Sequence, residues 1–330
     1  MGKAAREITP EELGPGTKHW LQTVVVTLFG MSIVVCPLFY LLLYAVAPWL
    51  WPVLLAYGAF CIVDPGVEDG IGRRREWIRA LRVWDYLVDY FEPRIVSEAT
   101  LDPGKRYIMC VHPHGILSYG SQVVAGAKKA GFDRAYPGIT VHPAVLPITL
   151  RIPFFGEYLL SMGAISSSRD SIRKCLARGG GHMPGIIIGG AQESLRTDTK
   201  VTTLVLRNRK GFVREALLAG ADLVPVFAFN ENKIYKQMAN PPGSLLYRVQ
   251  RLFQRYAHFA VPAFYGKNGF TPFKTPITFV AGEPIAVDQT KAPTGQDIDR
   301  YHARYLEALT DLWTRYHAKY DGEAERLDII

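Results

Sequence analysis

Apolar and polar residues change rhythm three times along this chain, and each rhythm points to a different kind of element. From His19 to Val63 no Asp, Glu, Lys or Arg interrupts a run of Leu, Val, Ile, Phe, Tyr, Trp and Ala. A membrane-spanning helix takes roughly 20 such residues, so the run holds two, Leu21 to Leu43 and Tyr44 to Val63. Pro48 and Pro52 break the second half early, and the connecting VAPWLWP (Val46 to Pro52) carries no charge suited to bulk water. Buried prolines and interfacial tryptophans fit a helical hairpin that dips into a bilayer and returns; a single long tilted span is the alternative. Lys3, Arg6 and Lys18 precede the run, and Arg73, Arg74, Arg75, Arg79 and Arg82 follow it. Positive flanks stay on the cytosolic side, which would place both ends there.

The second rhythm has a helical period. RRREWIRALRVWDYLVDYF (Arg73 to Phe91) spaces Trp77, Leu81, Trp84, Leu87 and Val88 along one face of an amphipathic helix. Such a helix fits an anionic leaflet, and equally the surface of the domain that follows. From Lys105 onward short apolar runs alternate with helical stretches. YIMCV, GIIIGG, DLVPVFAF and ITFVAGEP read as buried strands, and RDSIRKCLARG and GFVREALLAG as helices between them, the second closed by Gly220. DIDRYHARYLEALTDLWTRYHAKY is a last helix with Tyr305, Leu309, Leu312 and Tyr316 on one face. The alternation marks an α/β fold with a largely buried sheet. The expected organisation is a cytosolic tail at 1–18, a hairpin at 19–63, an interfacial helix and linker at 64–100, and the α/β domain at 101–330.

Composition adds modest constraints. A chain of 330 residues, 48% of them apolar, can fill a sizeable core, and a formal charge of +8 suits an anionic partner: nucleic acid, a phosphate-rich ligand or a membrane face. Cys36, Cys61, Cys110 and Cys175 share no ligand spacing and read as free thiols of a reducing compartment. The apolar run is too long for a cleaved signal peptide, and Arg6 stands where N-myristoylation wants Ser or Thr.

The candidate chemistry sits in YIMCVHPHGILSYG (Tyr107 to Gly120), where His112 and His114 follow a buried strand. Side chains at the C-terminal end of a parallel strand point into the crevice where α/β proteins place their sites. Three readings apply to the pair: a metal site, a turn held by the rings, or general-base catalysis. A metal needs three or four ligands, and His142, His182, His258, His302 and His317 complete no ligand pattern. Neutral imidazole is suited to taking a proton from an alcohol near neutral pH. Glu193, in IIIGGAQESL after another strand, is the candidate carboxylate to fix the tautomer of such a base. Gly189 and Gly190 would let the backbone turn there and aim amide N–H groups at an oxyanion. A solvated loop glutamate is the bland alternative.

Five motifs occur in order: HPHG (His112 to Gly115), RIPFFGEYL (Arg151 to Leu159), GGAQESL (Gly189 to Leu195), NRKGFVREALLAGADLVPVFAFNENKIYKQ (Asn208 to Gln237) and GEPI (Gly282 to Ile285). Together they resemble the type 2 diacylglycerol acyltransferases, over a stretch from Tyr90 to Tyr320, and the apolar hairpin belongs to the same plan. The resemblance implies a glycerolipid-acyltransferase-like αβα domain with an N-terminal membrane-embedded helical hairpin, in the endoplasmic reticulum membrane and at lipid droplets, with the catalytic domain cytosolic. It implies transfer of a fatty acyl group from acyl-CoA to the free hydroxyl of diacylglycerol, forming triacylglycerol. Monoacylglycerol or a long-chain alcohol is the alternative acceptor. HPHG then corresponds to the base motif of the wider glycerolipid acyltransferases, with His114 favoured over His112 as the base; Gly115, Gly189 and Gly190 are candidates to contact the substrate.

Acyl-CoA brings a thioester with a stable leaving thiolate, so an alcohol can attack it directly and no acyl-enzyme is required. Ser118 and Ser194 accordingly lie in no GxSxG elbow. Acyl-CoA is a co-substrate, and no further cofactor or metal is expected. Arg169, Arg207, Arg209 and Lys210 are candidates for its phosphates, or for a basic patch facing anionic lipid. YRVQRLFQRYAHF (Tyr247 to Phe259) interleaves bases and aromatics as nucleic-acid binders do, but beside an apolar hairpin it reads as facing membrane lipids. A homo-oligomer is compatible with these features. Two rival classes are a metal-dependent hydrolase using His112 and His114 and a non-catalytic lipid-droplet protein, the latter disfavoured because a binding module needs neither His114 nor Glu193.

Overall fold

The computed structural model describes residues 5–10, 19–238, 243–245, 247, 248, 250, 252 and 263–330. Their strands are, in chain order, β1 (Arg6–Ile8), β2 (Arg94–Ser97), β3 (Tyr107–His112), β4 (Thr140–Val145), β5 (Ile165–Ser166), β6 (His182–Ile187), β7 (Val201–Leu204), β8 (Asp222–Phe229), β9 (Lys236–Gln237), β10 (Phe264–Tyr265), β11 (Thr278–Ala281) and β12 (Arg326–Ile329). Eight of them form one mixed sheet in the order β1-β2-β11-β8-β3-β6-β4-β5. Strands β8, β3, β6, β4 and β5 are mutually parallel, while β11 joins β8 antiparallel.

Both faces of the central strands are buried, which is why they read as unbroken apolar runs. Tyr107, Met109 and Val111 of β3 share one core with Val224, Val226 and Ala228 of β8. Ile108 and Cys110 share the other with Leu223, Phe227 and Phe229, the two-residue period of a strand. Helices α1 (His19–Gly30), α5 (Val83–Phe91), α6 (Tyr119–Gly126) and α7 (Phe132–Ala135) cover the first face. The second is covered by α9 (Arg169–Ala177), by α11 (Gly211–Ala219) and by a C-terminal helix, Gly295–Tyr320. The result is a three-layer αβα fold. Gly220 closes α11 at φ +62°, as its sequence announces, and Tyr305, Leu309 and Leu312 of the C-terminal helix are fully buried.

Three expectations need correction. The first apolar half, Leu21 to Leu43, is not one helix: the chain bends by 85° between α1 and α2 (Ser32–Val46). Helix α1 belongs to the domain core, where Val26 is fully buried and Gln22 donates to the Asp89 carboxylate at 2.7 Å. Among the described residues no single helix is long and apolar enough to cross a membrane, although α1 and α2 pass together as a bent pair by length and composition. What remains exposed is α2 with α3 (Trp51–Val63), folded back across the Pro48–Leu50 turn. Tyr40 donates to the Leu54 carbonyl at 2.6 Å and the Trp51 indole to the Tyr44 carbonyl at 2.8 Å, tying the two together. Phe154 seats the pair on the domain, its ring among those of Phe39, Tyr40 and Tyr57.

Second, Arg73 to Phe91 is not one interfacial helix. Helix α4 (Glu76–Arg79) stops before α5 begins, and α5 turns Trp84, Leu87, Val88, Tyr90 and Phe91 into the core, leaving Trp77 and Leu81 outside. Arg79, expected on a cytosolic flank, has no exposed side-chain surface and is held by Glu76, Asp133 and the carbonyls of Gly126 and Ala125. A buried guanidinium is tolerable only when its donors are met in this way. Third, the sheet crosses the expected boundaries at residues 18 and 100, because β1 and β2 are part of it. Lys3, Lys18 and most of Tyr247 to Phe259 lie outside the described residues.

Candidate active site

Three neighbouring parallel strands each deliver one ionisable side chain just beyond their C-terminal ends: Glu231 after β8, His114 after β3 and Glu193 after β6. Such an edge is where open α/β sheets hold ligands.

His112 ends β3 and points into the layer beneath the C-terminal helix. Its Nε2 lies 2.9 Å from the Tyr305 hydroxyl, which in turn donates to the Cys110 carbonyl at 3.4 Å. Its Nδ1 has no partner among the described residues, and complete burial pushes its pKa down to about 3. His112, neutral and buried, thus ties β3 to the C-terminal helix.

His114 is only part-buried. Its Nδ1 is 2.9 Å from the carbonyl of Gly115. A carbonyl only accepts, so Nδ1 carries the ring proton and the lone pair falls on Nε2. Burial lowers the imidazole pKa and the Gly115 bond partly restores it, leaving a neutral ring with a basic nitrogen. A base needs that combination together with access from outside, and His112, neutral as well, is fully buried.

Glu193, in α10 (Ala191–Ser194), does not do what its position after a strand suggested. Its Oε2 accepts the main-chain N–H of His114 at 2.8 Å, and its Oε1 accepts that of Val205 at 2.8 Å. The carboxyl therefore clamps the loop rather than the imidazole; the tautomer is set by Gly115. Burial pushes its pKa up to about 7, opposed by those two N–H donors and by the charge of Arg209. Gly189 makes room, since a Cβ there would lie 1.8 Å from the Glu193 carboxyl carbon. Gly190 adopts φ +56° and ψ −152°, a conformation open to glycine, and its carbonyl accepts the Glu193 N–H at 3.0 Å.

The cations do not form one cluster. Arg209 is exposed and close enough for its charge to act on Glu193. Lys210, in the same loop, is paired with Asp299 at 2.6 Å, and Arg207 donates to the Ile329 carbonyl. Arg169 opens α9 beyond the far edge strand β5, exposed and distant from β3 in the sheet order. Among the described residues no three His, Cys, Asp or Glu side chains gather as a metal site.

Glu231 is the site residue that sequence reasoning missed. It is 2% exposed, its Oε1 accepts the Gly120 N–H at 3.1 Å, and its stem lies against Gly115. The available signal was the same as for Glu193: an acid immediately after a buried strand, here in NENK after DLVPVFAF.

A family model described as diacylglycerol acyltransferase matches residues 41–329. Acyl-CoA wax alcohol acyltransferase 1 of Homo sapiens is 38% identical over 298 residues, 88% of this chain and 90% of its own length. Diacylglycerol O-acyltransferase 1 of Schizosaccharomyces pombe is 37% identical over 304 residues, 90% and 88% of the two chains. For 2-acylglycerol O-acyltransferase 1 of Bos taurus the figures are 40% over 277 residues, 82% and 83%. The crystal structure of the 1-acyl-sn-glycerophosphate acyltransferase PlsC of Thermotoga maritima overlaps at a TM-score of 0.40 and 11% identity, over 90% of this chain and 97% of that one, too loosely to bear on function.

Proposed function

The chain belongs to the diacylglycerol acyltransferase family, and from that premise we propose that this acyltransferase joins the acyl group of acyl-CoA to the free hydroxyl of diacylglycerol at the His112–Gly115 turn. The observation that carries the proposal is the Nδ1 contact of His114 with the Gly115 carbonyl, which leaves Nε2 as an acceptor at the open edge of the sheet. Nε2 takes the hydroxyl proton as the alcohol oxygen attacks the thioester carbonyl carbon. A carbon–oxygen bond forms, the carbon–sulfur bond breaks, and the departing thiolate recovers the proton from the imidazolium. No acyl-enzyme and no cofactor beyond acyl-CoA enter this scheme. Glu193 holds the base loop in place through the N–H of His114, and amides of the Gly189–Gly190 turn are assigned to the developing oxyanion. Arg209 is the first candidate for the CoA phosphates, with Lys210 and Arg169 behind it.

The exposed α2 and α3 pair is assigned to a bilayer, with both its ends on one side because α1 and α4 join the same domain. Endoplasmic reticulum membrane and lipid droplets, with a cytosolic site, follow as the proposed location. A second reading changes only the acceptor, since the relatives named for wax alcohol and for 2-acylglycerol match as well as the one named for diacylglycerol. Purified protein given labelled oleoyl-CoA and a panel of alcohols decides. Labelled triacylglycerol as the main product is expected. Wax ester or diacylglycerol would reassign the acceptor, and free oleate alone would overturn acyl transfer.

A further inference from the structure

Glu231 stands at the reactive edge and takes no part in the scheme above. The stretch that carries it is pinned on both sides. Asn230, at φ +69°, donates from Nδ2 to the carbonyls of Pro276 and Tyr320, both at 2.9 Å, and Lys233 pairs with Asp321 at 2.7 Å. The glutamate side chain is thereby aimed inward, at the segment linking the base to α6. Its Oε1 accepts the Gly120 N–H, and the amides of Tyr119 and Ser121 in the same first turn also face the carboxyl. A Cβ on Gly120 would come within 2.5 Å of Oε2, and one on Gly115 within 2.8 Å of Cγ. Two glycines of the reactive loop are therefore shaped around this one side chain.

Its surroundings also set its charge. Glu231 pairs with no cation among the described residues, and Oε2 has no hydrogen-bond partner. Burial without a counter-ion disfavours the ionised form and outweighs the three amides of that turn, which favour it. Burial accordingly pushes its pKa up to about 8.

We propose that Glu231 is a positioning residue for the base: its carboxyl locks Gly115 to the first turn of α6 and so fixes the Gly115 carbonyl that holds the Nδ1 proton of His114. The proposal rests on the acyltransfer reading, in which His114 Nε2 accepts the alcohol proton. If the Gly115 carbonyl drifts, the ring can turn or exchange tautomers, and the lone pair leaves the reacting edge. A misplacement of about 1 Å is enough to cost about 10²-fold in rate.

The test uses the full chain in detergent with oleoyl-CoA and diacylglycerol. Glu231→Ala is expected to lower kcat by about 10²-fold at unchanged KM for oleoyl-CoA, and Glu231→Gln to restore most of that loss at neutral pH. Wild-type activity should decline as pH rises past about 8, and Glu231→Gln should remove the decline. Gly120→Ala, which drives a methyl into the carboxyl, should reproduce the Glu231→Ala loss without altering the acid. Deuterium exchange at the amides of Tyr119, Gly120 and Ser121 should speed up in Glu231→Ala and not in Glu231→Gln. Glu231→Gln as slow as Glu231→Ala, or Glu231→Ala raising KM alone, would overturn the positioning role. If even the wild-type chain forms no ester, the acyltransfer reading fails, and the exchange rates still decide whether Glu231 locks the turn.

Discussion

Glu193 meets His114 at the main chain: the backbone N–H of His114 donates to Oε2 at 2.8 Å, while the ring is held by the carbonyl of Gly115. A carboxylate partner for the imidazolium is thus replaced by a carboxyl that fixes where the loop runs. Glu193→Gln puts an NH₂ group opposite one of two N–H donors, either His114 or Val205, and must break one clamp. The expected result is a fall in kcat of about 10²-fold from displacement of the base, with KM for acyl-CoA little changed, measured with labelled oleoyl-CoA.

The same carboxyl makes stability depend on pH. Its pKa rises from an ordinary 4.5 to about 7 on folding, so between those values the folded chain holds a proton that the unfolded chain releases. Stability from this group is greatest below the unfolded value and is lost as pH rises through the folded one. Glu231, pushed up to about 8, acts in the same direction. The melting temperature in detergent should therefore fall between about pH 4.5 and about pH 8, and fall less in Glu193→Gln.

The two histidines should separate cleanly by what they damage. His114→Ala removes the base and is expected to lower turnover by about 10²- to 10⁴-fold in a protein that still folds. His112→Phe and Tyr305→Phe each delete one partner of a buried contact at 2.9 Å and should cost about 1–3 kcal/mol of stability. Their double variant should be less destabilised than the two losses added, because one interaction is being removed twice. Thermal melts and turnover, read side by side, check this.

Much of the fold was legible because buried parallel strands leave a plain mark. The runs at Tyr107 to Val111 and Asp222 to Phe229 became β3 and β8, and the Gly220 stop is real. The single helix expected over Arg73 to Phe91 is in fact two, because the apolar period continues across Ala80–Arg82, where the chain turns so that the later residues enter the core. Periodicity reports which side is apolar, not where a helix breaks. Helix α1 was assigned to the membrane for a related reason: an uncharged segment buried in protein and one buried in lipid have the same composition. At the site, the positions of His114 and Glu193 after strands were readable. Whether Glu193 met the ring or the backbone was not, because that depends on the course of the Gly189–Gly190 turn. Glu231 carries the same mark as Glu193, an acid just after a buried strand, without a glycine pair beside it.

The exposed pair α2 and α3 should hold the protein in a bilayer. Leu42 and Leu55 are both exposed on it, and an arginine at the centre of a bilayer costs about 2.5–3.5 kcal/mol on an insertion scale. Wild-type protein should resist alkaline carbonate, and the double variant Leu42→Arg, Leu55→Arg should be extracted. Tags on the two termini should both be reached by protease from the cytosolic face; protection of one alone would rule out the re-entrant arrangement.

Arg209 and Lys210 are sequence neighbours that should behave differently. Lys210 is paired with Asp299 at 2.6 Å, whereas Arg209 is exposed and its charge is felt by Glu193. If Arg209 receives the CoA phosphates, Arg209→Ala should raise KM for oleoyl-CoA with kcat nearly intact, because the contact is made equally in the bound substrate and in the transition state. Lys210→Ala should change KM less, since its ammonium is already engaged. The same Arg209→Ala removes a charge that lowers the Glu193 pKa, so that pKa should climb further above about 7, and the alkaline loss of melting temperature should finish at a higher pH. The two effects are separable with an acyl thioester of N-acetylcysteamine, which has no phosphates. Against that substrate the KM difference between wild type and Arg209→Ala should vanish while the shift in the melting profile persists. A KM difference of equal size on the phosphate-free thioester would mean that Arg209 shapes the site itself and binds no phosphate.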